Sequence, residues 1–469
     1  MTERVLAIDI GSSSLRAGIV EQDGSLVVQR QLGYDFRGRR SPEGTIPAEP
    51  VRRLLRQALE SLNLRGVRTV AVSSLWHSVL VVDARDEPLT EVYTWESTGP
   101  DASLDGLYAH LDAEDYRRRT GSYVHSSYPM AAFWHIRDRI PSDSRVTDLP
   151  SWLLRRTLGL DIGWSGDMAA GSGMWAQDDA DWDTGVLNVL DLDPARLGPA
   201  WVDPAPVGSL GRALGLADTL VLPVFGDGLC SSVGVGAVGD HEAAVTVGTS
   251  GGVRMILDSA PAETVPRGLW RYRLPSGPTA VGGAASNAGN LLEWLRNTLG
   301  IADPLAFAYG APPPLDGLVA VPDLAGQRGP DYRIGATASL RGLRAHHDRD
   351  DIARAFVVGA LGVFVSLTEL LLRTRPDLNT LIASGGVISR SPIFAQLLAD
   401  AVGRPVRTSR EREGSLLGAA ILGLGSRPAP GHSALFQPRA VWTETIRAAT
   451  STDQRNAPPN RLPPFLIKR

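Results

Sequence analysis

The stretch VLAIDIGSSSLRAGIVEQDG, from Val5 to Gly24, places two apolar runs on either side of a turn of small residues. The first run is typical of a β-strand, and one glycine and three serines follow it at 11–14. Asp23 and Gly24 form a hairpin signal after the second run. One carboxylate, Asp9, stands inside the first apolar run, where a charge is costly to bury. Asp9 is therefore the first candidate functional residue.

The length and composition indicate a globular protein of more than one domain. The chain has 469 residues, which exceeds what one hydrophobic core usually serves. Its formal net charge of −4 argues against a general binder of nucleic acid or membrane surfaces. The single cysteine, Cys230, excludes an internal disulfide framework and fits a reducing cytoplasm. We expect Cys230 to be a small buried core residue.

Targeting signals are not evident in the sequence. The chain passes from MTER directly into a strand-like run, without a basic and apolar leader. No uninterrupted apolar stretch approaches the roughly 20 residues of a membrane-spanning helix. We therefore expect a cytoplasmic protein with neither a membrane nor a nucleic-acid partner.

Apolar runs and turns alternate in the first part of the chain and resume after an irregular middle. A helical pattern at 50–62 with strand-like runs on both sides predicts an α/β domain. The segment from about 97 to 205 is richer in Trp, Asp and Pro, and we interpret it as an inserted lobe. At 243–257, AAVTVGTSGGVRMIL repeats the strand, small-residue turn and strand of the opening stretch. This repeat indicates two related domains.

Three turns of small residues are candidate phosphate sites, at 11–14, 248–252 and 384–386. Such turns leave backbone N–H groups uncovered, and their hydroxyls add further donors for phosphate oxygens. Taken alone, each is also what an ordinary hairpin turn looks like. None fits the Walker pattern or the dinucleotide-binding glycine pattern, which disfavours a P-loop or Rossmann enzyme.

Charged residues beside these turns have two interpretations each. Asp9 would repel a phosphate directly but suits a Mg²⁺ ion held between them, usually through water. Arg16 either meets a phosphate or pairs with a surface carboxylate, which is the commoner fate of an arginine. Asp227, in FGDGLCSSVGVGA, is either a helix cap or a general base that takes the proton of an attacking hydroxyl.

These motifs, in their order and spacing, resemble the FGGY family of carbohydrate kinases from about residue 4 to 425, and most of all its gluconate kinase branch. DIGSSSLRAGIV resembles the first phosphate motif, and AAVTVGTSGGVR resembles the second. VFGDGLCSSVGVGAV is similar to the stretch that holds the catalytic aspartate, and ASGGVISRSPIFAQLLAD to the adenosine-contacting segment. SSLWHSVLVVDARDEPL resembles a gluconate kinase segment with a Met-His-Ser core, in which Trp76 replaces Met and His77 is kept.

The resemblance implies two actin-like (ribonuclease H-like) ATPase domains with a cleft between them. Residues 1–238 would form the sugar-binding domain with the catalytic base, and 239–430 the ATP-binding domain. From composition alone, we expect 431–469 to be an extended tail rich in Pro and Arg. The implied cofactors are ATP and Mg²⁺, and the implied partner is a small sugar or polyol. A homodimer is left open.

The site residues implied by the resemblance fall into four groups. Asp227 would be the catalytic base and would contact the substrate, and Asp9 would hold Mg²⁺ through water. The other substrate contacts would be Trp76, His77 and Trp95, although a structural role stays equally open for His77. The ATP and phosphate contacts would be Gly11, Ser12, Ser13, Arg16, Gly248, Thr249, Ser250, Gly385 and Gly386.

Departures from the family pattern gather on the acceptor side. The segment after Trp95 has Ser97 where an acid is usual and Gly99 where a base is usual. Ala132 replaces a usual Lys, Val358 an acid, and Gln327, beside a retained Arg328, a frequent Glu. We therefore expect an acceptor other than the commonest family sugars. Gluconate, a smaller or less polar polyol, a ketose and another sugar acid all stay open.

Three function classes follow from these residues. The leading hypothesis is ATP-dependent phosphorylation of a hydroxyl of a sugar, sugar acid or polyol. The second is a catalytically weak or inactive nucleotide-binding protein of the same fold, a pseudokinase or sensor. The third is an ATPase of that fold whose acceptor is water or a protein.

His346 and His347 precede an acidic run that is typical of a solvated helix start rather than of a metal site.

Overall fold

The computed structural model describes residues 4–34, 43–239, 241–259, 265–310, 316–333, 335–425 and 431–450. In the first half of the chain the strands are β1 (Arg4–Ile10), β2 (Ser14–Glu21), β3 (Leu26–Gly33), β4 (Val67–Ser74), β5 (Ser78–Val82), β6 (Tyr93–Thr94), β7 (Arg145–Thr147), β8 (Trp175–Ala176), β9 (Asp181–Trp182), β10 (Ala205–Pro206), β11 (Leu220–Val221) and β12 (Phe225–Gly226). The α-helices of this half are α1 (Ala48–Glu60), α2 (Leu104–Tyr108), α3 (Ala113–Thr120), α4 (Pro129–Ile136), α5 (Leu149–Leu158), α6 (Gly166–Ala170), α7 (Thr184–Leu190), α8 (Ser209–Ala213) and α9 (Asp227–Gly234).

The second half continues the alternation of strands and helices. Its strands are β13 (Glu242–Val247), β14 (Gly251–Leu257), β15 (Trp270–Arg273), β16 (Thr279–Ala285), β17 (Val319–Val321), β18 (Ser339–Arg341), β19 (Thr380–Ser384), β20 (Val406–Ser409) and β21 (His432–Phe436). Its α-helices are α10 (Gly289–Leu299), α11 (Arg349–Thr374), α12 (Gly386–Arg390), α13 (Ile393–Val402), α14 (Gly414–Leu424) and α15 (Ala440–Thr450).

Two large sheets carry the same strand arrangement. The first has the order β10-β11-β4-β1-β2-β3, with β12 also paired to β4, and the second has the order β15-β16-β14-β13-β19-β20-β21. In each sheet an antiparallel hairpin, β1 with β2 or β13 with β14, continues into a strand parallel to its first member, β4 or β19. The repeat predicted at 243–257 is therefore a repeat of topology. The predicted α/β fold with two related halves is confirmed.

The opening strand β1 is buried along almost its whole length. Residues 5–10 are each no more than 4% exposed. A strand covered by helices on both faces reads as a continuous apolar run, which explains the opening sequence. The helix predicted at 50–62 is α1, and it buries Val51, Leu55 and Leu59 at helical spacing.

Helix α14 connects the two halves of the molecule. It follows β20 of the second sheet in sequence but packs against β1, β4 and α9 of the first half. A Cβ atom on Gly418 of this helix would lie 1.8 Å from the carbonyl oxygen of Cys230, so only glycine permits this approach. Cys230 is buried, as predicted. The boundary between 238 and 239 stays a prediction, because α14 lies in the second segment yet packs into the first core.

The end of the chain departs from the predicted extended tail. Strand β21 adds to the second sheet beside β20, and α15 packs against α11 and α13. Two contacts explain this: the Arg439 guanidinium lies 2.6 Å from the fully buried carboxylate of Asp400, and the Trp442 side chain is only 5% exposed. Residues 431–450 are thus folded. The rest of the predicted tail, 451–469, lies outside the described residues.

Helix α11 is the central helix of the second half. Among the described residues it alone is long and apolar enough to cross a membrane, but 78% of its apolar window is buried inside the protein. The central helix of a protein core can be as apolar as a membrane-spanning helix, and the burial of α11 inside the protein identifies it as a core helix. The helix begins with a capping box, in which Asp348 accepts the backbone N–H of Asp351 and the Asp351 side chain accepts that of Asp348. The predicted helix start after His347 is therefore confirmed.

Candidate active site

A cavity of about 370 Å³ lies between the two sheets, where the β1–β2 turn, the β13–β14 turn and the start of α9 meet. The predicted site residues that line it are Asp9, Gly11, Ser12, Ser13, Arg16, Trp76, His77, Trp95, Asp227, Gly248, Thr249 and Ser250. Gly385 and Gly386 do not line it. A Cβ atom on Gly385 would lie 2.5 Å from the carbonyl oxygen of Val247, so this turn packs directly behind the second one.

The second turn is supported by a segment that the sequence analysis missed. Its carbonyl groups at Gly248 and Thr249 accept the backbone N–H groups of Gly289 and Asn290, at 2.9 and 3.0 Å. These two residues begin α10, so the N-terminal end of that helix abuts the turn. The signal in the sequence was the small and polar run from Ser286 to Asn290, which precedes an amphipathic helix.

Asp9 is held in the cavity wall by two donors. Arg16 Nη1 donates to one carboxylate oxygen at 2.9 Å, and the Ser73 hydroxyl donates to the other at 3.0 Å. Burial raises the pKa of Asp9 to about 6, although Arg16 opposes the shift. Arg16 also pairs with Glu413 at 2.8 Å, so its guanidinium joins the first turn to the residue before α14.

Asp227 is the first residue of α9, and its carboxylate faces the same cavity. The cap residue of the helix is Gly226, so capping does not account for the aspartate. Burial raises the pKa of Asp227 above the usual value, whereas the Arg254 guanidinium and the neighbouring backbone N–H groups of Gly228 and Trp76 lower it. The carboxylate is thus more basic than an exposed one.

The indole of Trp76 explains the glycines on either side of Asp227. A Cβ atom on Gly226, Gly228 or Gly171 would lie within 2.7 Å of the indole ring. Trp76 Nε1 donates to the Asp167 carbonyl at 2.8 Å, which fixes the plane of the ring. The same ring makes edge-on contacts with two further aromatic side chains, Trp270 and Tyr272, at interplanar angles of 68° and 69°.

His77 lies among tyrosines and arginine, without a carboxylate partner in the described part of the chain. Its ring centroid lies 4.6 Å from that of Tyr128, and its Nε2 lies 3.4 Å from the hydroxyl of Tyr272. Burial lowers the pKa of His77 to about 3, and Arg328 and His125 lower it further. The imidazole is therefore neutral at physiological pH and can both donate and accept a hydrogen bond.

Arg328 separates this cavity from a second one of about 440 Å³. The guanidinium carbon lies 4.3 Å above the Trp95 ring, a cation–π contact. Both residues line both cavities. A role for Arg328 in the cleft was not predictable from the sequence, because no local pattern distinguishes a cleft arginine from a surface one.

The two departures after Trp95 have clear structural consequences. The Ser97 hydroxyl accepts the backbone N–H of Thr94 at 2.9 Å and so closes a turn. A Cβ atom on Gly99 would lie 2.7 Å from Glu43 Oε2, and Glu43 accepts a hydrogen bond from the Tyr93 hydroxyl. The space in which a longer side chain would begin at position 99 is filled by Glu43.

A group of possible metal ligands lies outside this cleft, at Asp316, His346 and His347. His346 Nε2 is 2.7 Å from an Asp316 oxygen. The backbone N–H of Arg344 donates to His347 Nδ1, so the lone pair of that nitrogen is not free for a metal. The capping box at Asp348 directly after this pair supports the interpretation of the segment as a helix start.

Comparisons with known proteins agree with this geometry. Residues 4–205 match the N-terminal domain of the FGGY family of carbohydrate kinases, and residues 243–426 match its C-terminal domain. A gluconokinase of Bacillus subtilis is 27% identical over 462 residues, which cover 90% of this chain and 88% of that protein. A xylulose kinase of Staphylococcus epidermidis is 24% identical with the same coverage.

A solved structure shows the same fold. The crystal structure of gluconate kinase from Lactobacillus acidophilus superposes with a TM-score of 0.85 at 21% identity and covers 96% of each chain. The two halves of mixed α/β structure in the present protein have the actin-like arrangement that was expected from the sequence. Because the two family domains together span most of the sequence, this protein belongs to the FGGY family of carbohydrate kinases, which are phosphotransferases with an alcohol group as acceptor.

Proposed function

We propose that this kinase transfers the γ-phosphoryl group of ATP to a hydroxyl of a sugar, sugar acid or polyol, with Asp227 as general base. The observation that carries the proposal is the position of the Asp227 carboxylate. It lines one cavity together with both small-residue turns and with an aromatic wall. A base, a set of phosphate donors and a surface for an acceptor thus share one site.

The transfer requires that Asp227 accept one proton. The acceptor oxygen forms a bond to the γ-phosphorus while its proton moves to the Asp227 carboxylate. The bond from phosphorus to the β–γ bridging oxygen breaks, and ADP leaves with that electron pair. The raised pKa of the Asp227 carboxylate makes it a better proton acceptor than an exposed aspartate.

The two turns supply the donors for the phosphates. Ser12 and Ser13 add hydroxyls to the first turn, and Thr249 and Ser250 add them to the second. The turn at Gly385 packs behind the second one and is proposed to meet the adenosine. We accordingly assign the ATP side to 239–430 and the acceptor side to 1–238, with α14 crossing between them.

The residues present fit a hydrated Mg²⁺ ion beside Asp9. Asp9 and Asp227 line one cavity, and the charge of Asp227 raises the pKa of Asp9 by like-charge repulsion, which a cation would relieve. Carboxylate and water oxygens are the ligands that Mg²⁺ prefers. When bound there, the ion would neutralise phosphate charge, whereas Arg16 and Ser73 keep the Asp9 carboxylate in place.

Aromatic rings line the acceptor side of the cavity. Trp76, Trp95, Trp270 and Tyr272 all reach it, and His77 adds a neutral polar tip. Such rings stack on the C–H faces of a sugar or polyol while a few polar groups set its orientation. The relatives named gluconokinase, xylulose kinase and glycerol kinase support an acceptor of this class.

A coupled ADP-release screen over sugars, sugar acids and polyols tests the proposal. The wild type with ATP and Mg²⁺ should turn over at least one acceptor. Asp227→Asn, which keeps the shape but removes the base, should lower kcat by at least about 10²-fold. Full activity of that variant would refute the assigned base.

The alternative is a nucleotide-binding protein without kinase activity, and Glu43 beside Gly99 is the observation that favours it. The usual polar grip on the acceptor is replaced there by an internal hydrogen bond. In that case ATP should raise the melting temperature while no acceptor in the panel yields ADP. The retained Asp227 and Asp9 favour the kinase hypothesis, because a protein that only binds a nucleotide does not require a general base in its cleft.

A further inference from the structure

Arg254 reaches the cleft through a path that three glycines leave open. It lies on β14, next to the second turn, and its side chain crosses toward α9. A Cβ atom on Gly282 would lie 2.8 Å from Arg254 Cγ, and one on Gly228 3.2 Å from its Cδ. A Cβ atom on Gly252 would lie 3.3 Å from its Nη1. The surrounding sequence therefore accommodates the whole length of this arginine.

Only one of its nitrogens makes hydrogen bonds within the described residues. Nη2 donates to the Ser231 hydroxyl of α9 at 2.9 Å and to the Thr246 hydroxyl of β13 at 2.7 Å. Nε is buried and has no partner. The guanidinium is thus held by one residue from each half of the molecule, and the donors of Nη1 stay available to a ligand.

The positive charge lacks a protein counter-ion at contact distance. In the described parts of the chain no carboxylate lies within ion-pair distance of Arg254, and the nearest acid that affects it is Asp227. A partly buried cation with only hydroxyl partners is costly unless an anion joins it. Because the cavity beside it contains both phosphate turns, a phosphate is the anion that the site supplies.

We propose that Arg254 is a further catalytic residue, whose guanidinium contacts the phosphoryl group as it passes from ATP to the acceptor. This inference rests on the proposed function. The planar guanidinium matches phosphate oxygens in two directions, and a donor held in place beforehand stabilises charge as it develops. Through Ser231, the same contact is tied to the helix that carries Asp227, so base and phosphoryl group are aligned together.

Steady-state kinetics of two Arg254 variants test the proposal. Arg254→Gln should lower kcat about 10²- to 10³-fold, with the KM values for ATP and acceptor changed only a few-fold. Arg254→Lys keeps the charge but not the planar fork, so its kcat should lie between those of Arg254→Gln and wild type. Arg273→Gln is the matched control, because Arg273 on β15 of the same sheet faces Asp178 outside the cavity and should leave kcat unchanged.

A binding measurement keeps the test independent of turnover. Arg254→Gln should bind ADP as wild type does, which also shows that its cleft is folded. It should bind ADP with aluminium fluoride and acceptor at least about 10²-fold more weakly, because that complex resembles the transferring phosphoryl group. If Arg254→Gln does not fold, the same comparison on Arg254→Lys decides the question.

Three results would overturn the inference, and they differ from one another. An unchanged kcat in an active wild-type background would remove only the role of Arg254. A rise in KM confined to sugar acids would assign the guanidinium to an acceptor carboxylate instead. A wild type that transfers phosphate to no acceptor would remove the proposed function, and this inference with it.

Discussion

Glu43 Oε2 lies where a side chain at position 99 would begin, 2.7 Å from the Cβ position of Gly99. The same oxygen accepts the hydrogen bond of the Tyr93 hydroxyl, and that bond lowers the pKa of Glu43. Where a basic residue is usual in the family, this protein has Gly99, and the space beside it is occupied by the carboxylate of Glu43 from another part of the chain.

Gly99→Ala should therefore destabilise the protein. The added methyl displaces the Glu43 side chain and weakens its bond to Tyr93, which should lower the free energy of unfolding by about 1 kcal/mol or less, because Glu43 is partly exposed. Urea unfolding measures the change. Gly33→Ala is the control, since a Cβ atom there meets nothing within 4 Å. Equal stability of the two variants would show that Glu43 moves away freely.

Trp76→Met should change acceptor selection and stability together. Methionine, which the similar gluconate kinase segment has at this position, cannot fill the space between the three glycines or donate to the Asp167 carbonyl. We expect a loss of about 1–3 kcal/mol of stability and lower KM values for bulkier acceptors, with KM for ATP unchanged. Chemical unfolding and the acceptor panel measure both effects.

The matched control for Trp76 is Trp134→Met. The Trp134 indole is similarly buried and similarly donates to a backbone carbonyl, that of Ser103, but it lies in the lobe. This variant should lose stability without changing the order of preferred acceptors. The same shift in preference in both variants would mean that it follows from reduced stability rather than from the shape of the pocket.

The local features of this fold were predictable from the sequence. A strand, a small-residue turn and a strand form one continuous pattern, so the two turns could be found from the residues around them. Asp9 and Asp227 were recognisable because a carboxylate is unusual in an apolar strand or between two glycines. Their shared cavity, by contrast, was implied only by the family resemblance, because it depends on how the two halves face each other.

The missed residues depend on neighbours that are distant in sequence. Arg254 is a cleft residue because Gly228 and Gly282, on other elements, leave room for its side chain. Glu43 meets Gly99 although α1, β4, β5 and β6 separate them in sequence, so no local pattern predicts the contact. The folded part of the expected tail has the same explanation, since Arg439 finds its buried partner, Asp400, on α13.

Asp9→Asn should weaken the binding of the Mg²⁺ ion that the reaction requires. The amide cannot attract a hydrated cation as the carboxylate does, so half-maximal activity should require about 10-fold more Mg²⁺ or greater. A titration of Mg²⁺ at constant ATP measures this. Asp23→Asn, on the exposed β2–β3 turn, is the control. If both variants respond to Mg²⁺ as wild type does, Asp9 does not belong to the ion's site.

Removal of the divalent ion is a separate test of the same site. We expect chelation by EDTA to abolish turnover in the wild type and readdition of Mg²⁺ to restore it, because the phosphate charge is otherwise uncompensated. Nucleotide binding measured by calorimetry under both conditions shows whether the ion acts on binding or on transfer. Undiminished turnover in EDTA would contradict a Mg²⁺-dependent mechanism.

His77 should make the protein less stable as the pH falls. Its pKa is about 3 in the folded protein and has its usual value of 6.5 in the unfolded chain, because burial, Arg328 and His125 disfavour the charged imidazole. Below pH 6.5 the unfolded chain thus binds a proton that the folded protein does not. The contribution of His77 to the free energy of unfolding is fully present above pH 6.5. It decreases as the pH falls from 6.5 to about 3, by up to about 1.4 kcal/mol per pH unit.

His77→Gln removes this titration. Between pH 7 and pH 5 the wild type should therefore lose more stability than the variant does. Urea unfolding at several pH values measures it, and the exposed His110→Gln, measured in parallel, corrects for effects common to any histidine substitution. A difference that stays constant over this range would mean that His77 takes up its proton at the same pH in the folded protein as in the unfolded chain, so that its pKa is not lowered. In that case the imidazole would be a cation in the cleft below pH 6.5, and an anionic acceptor group rather than a neutral hydroxyl would be its natural partner there.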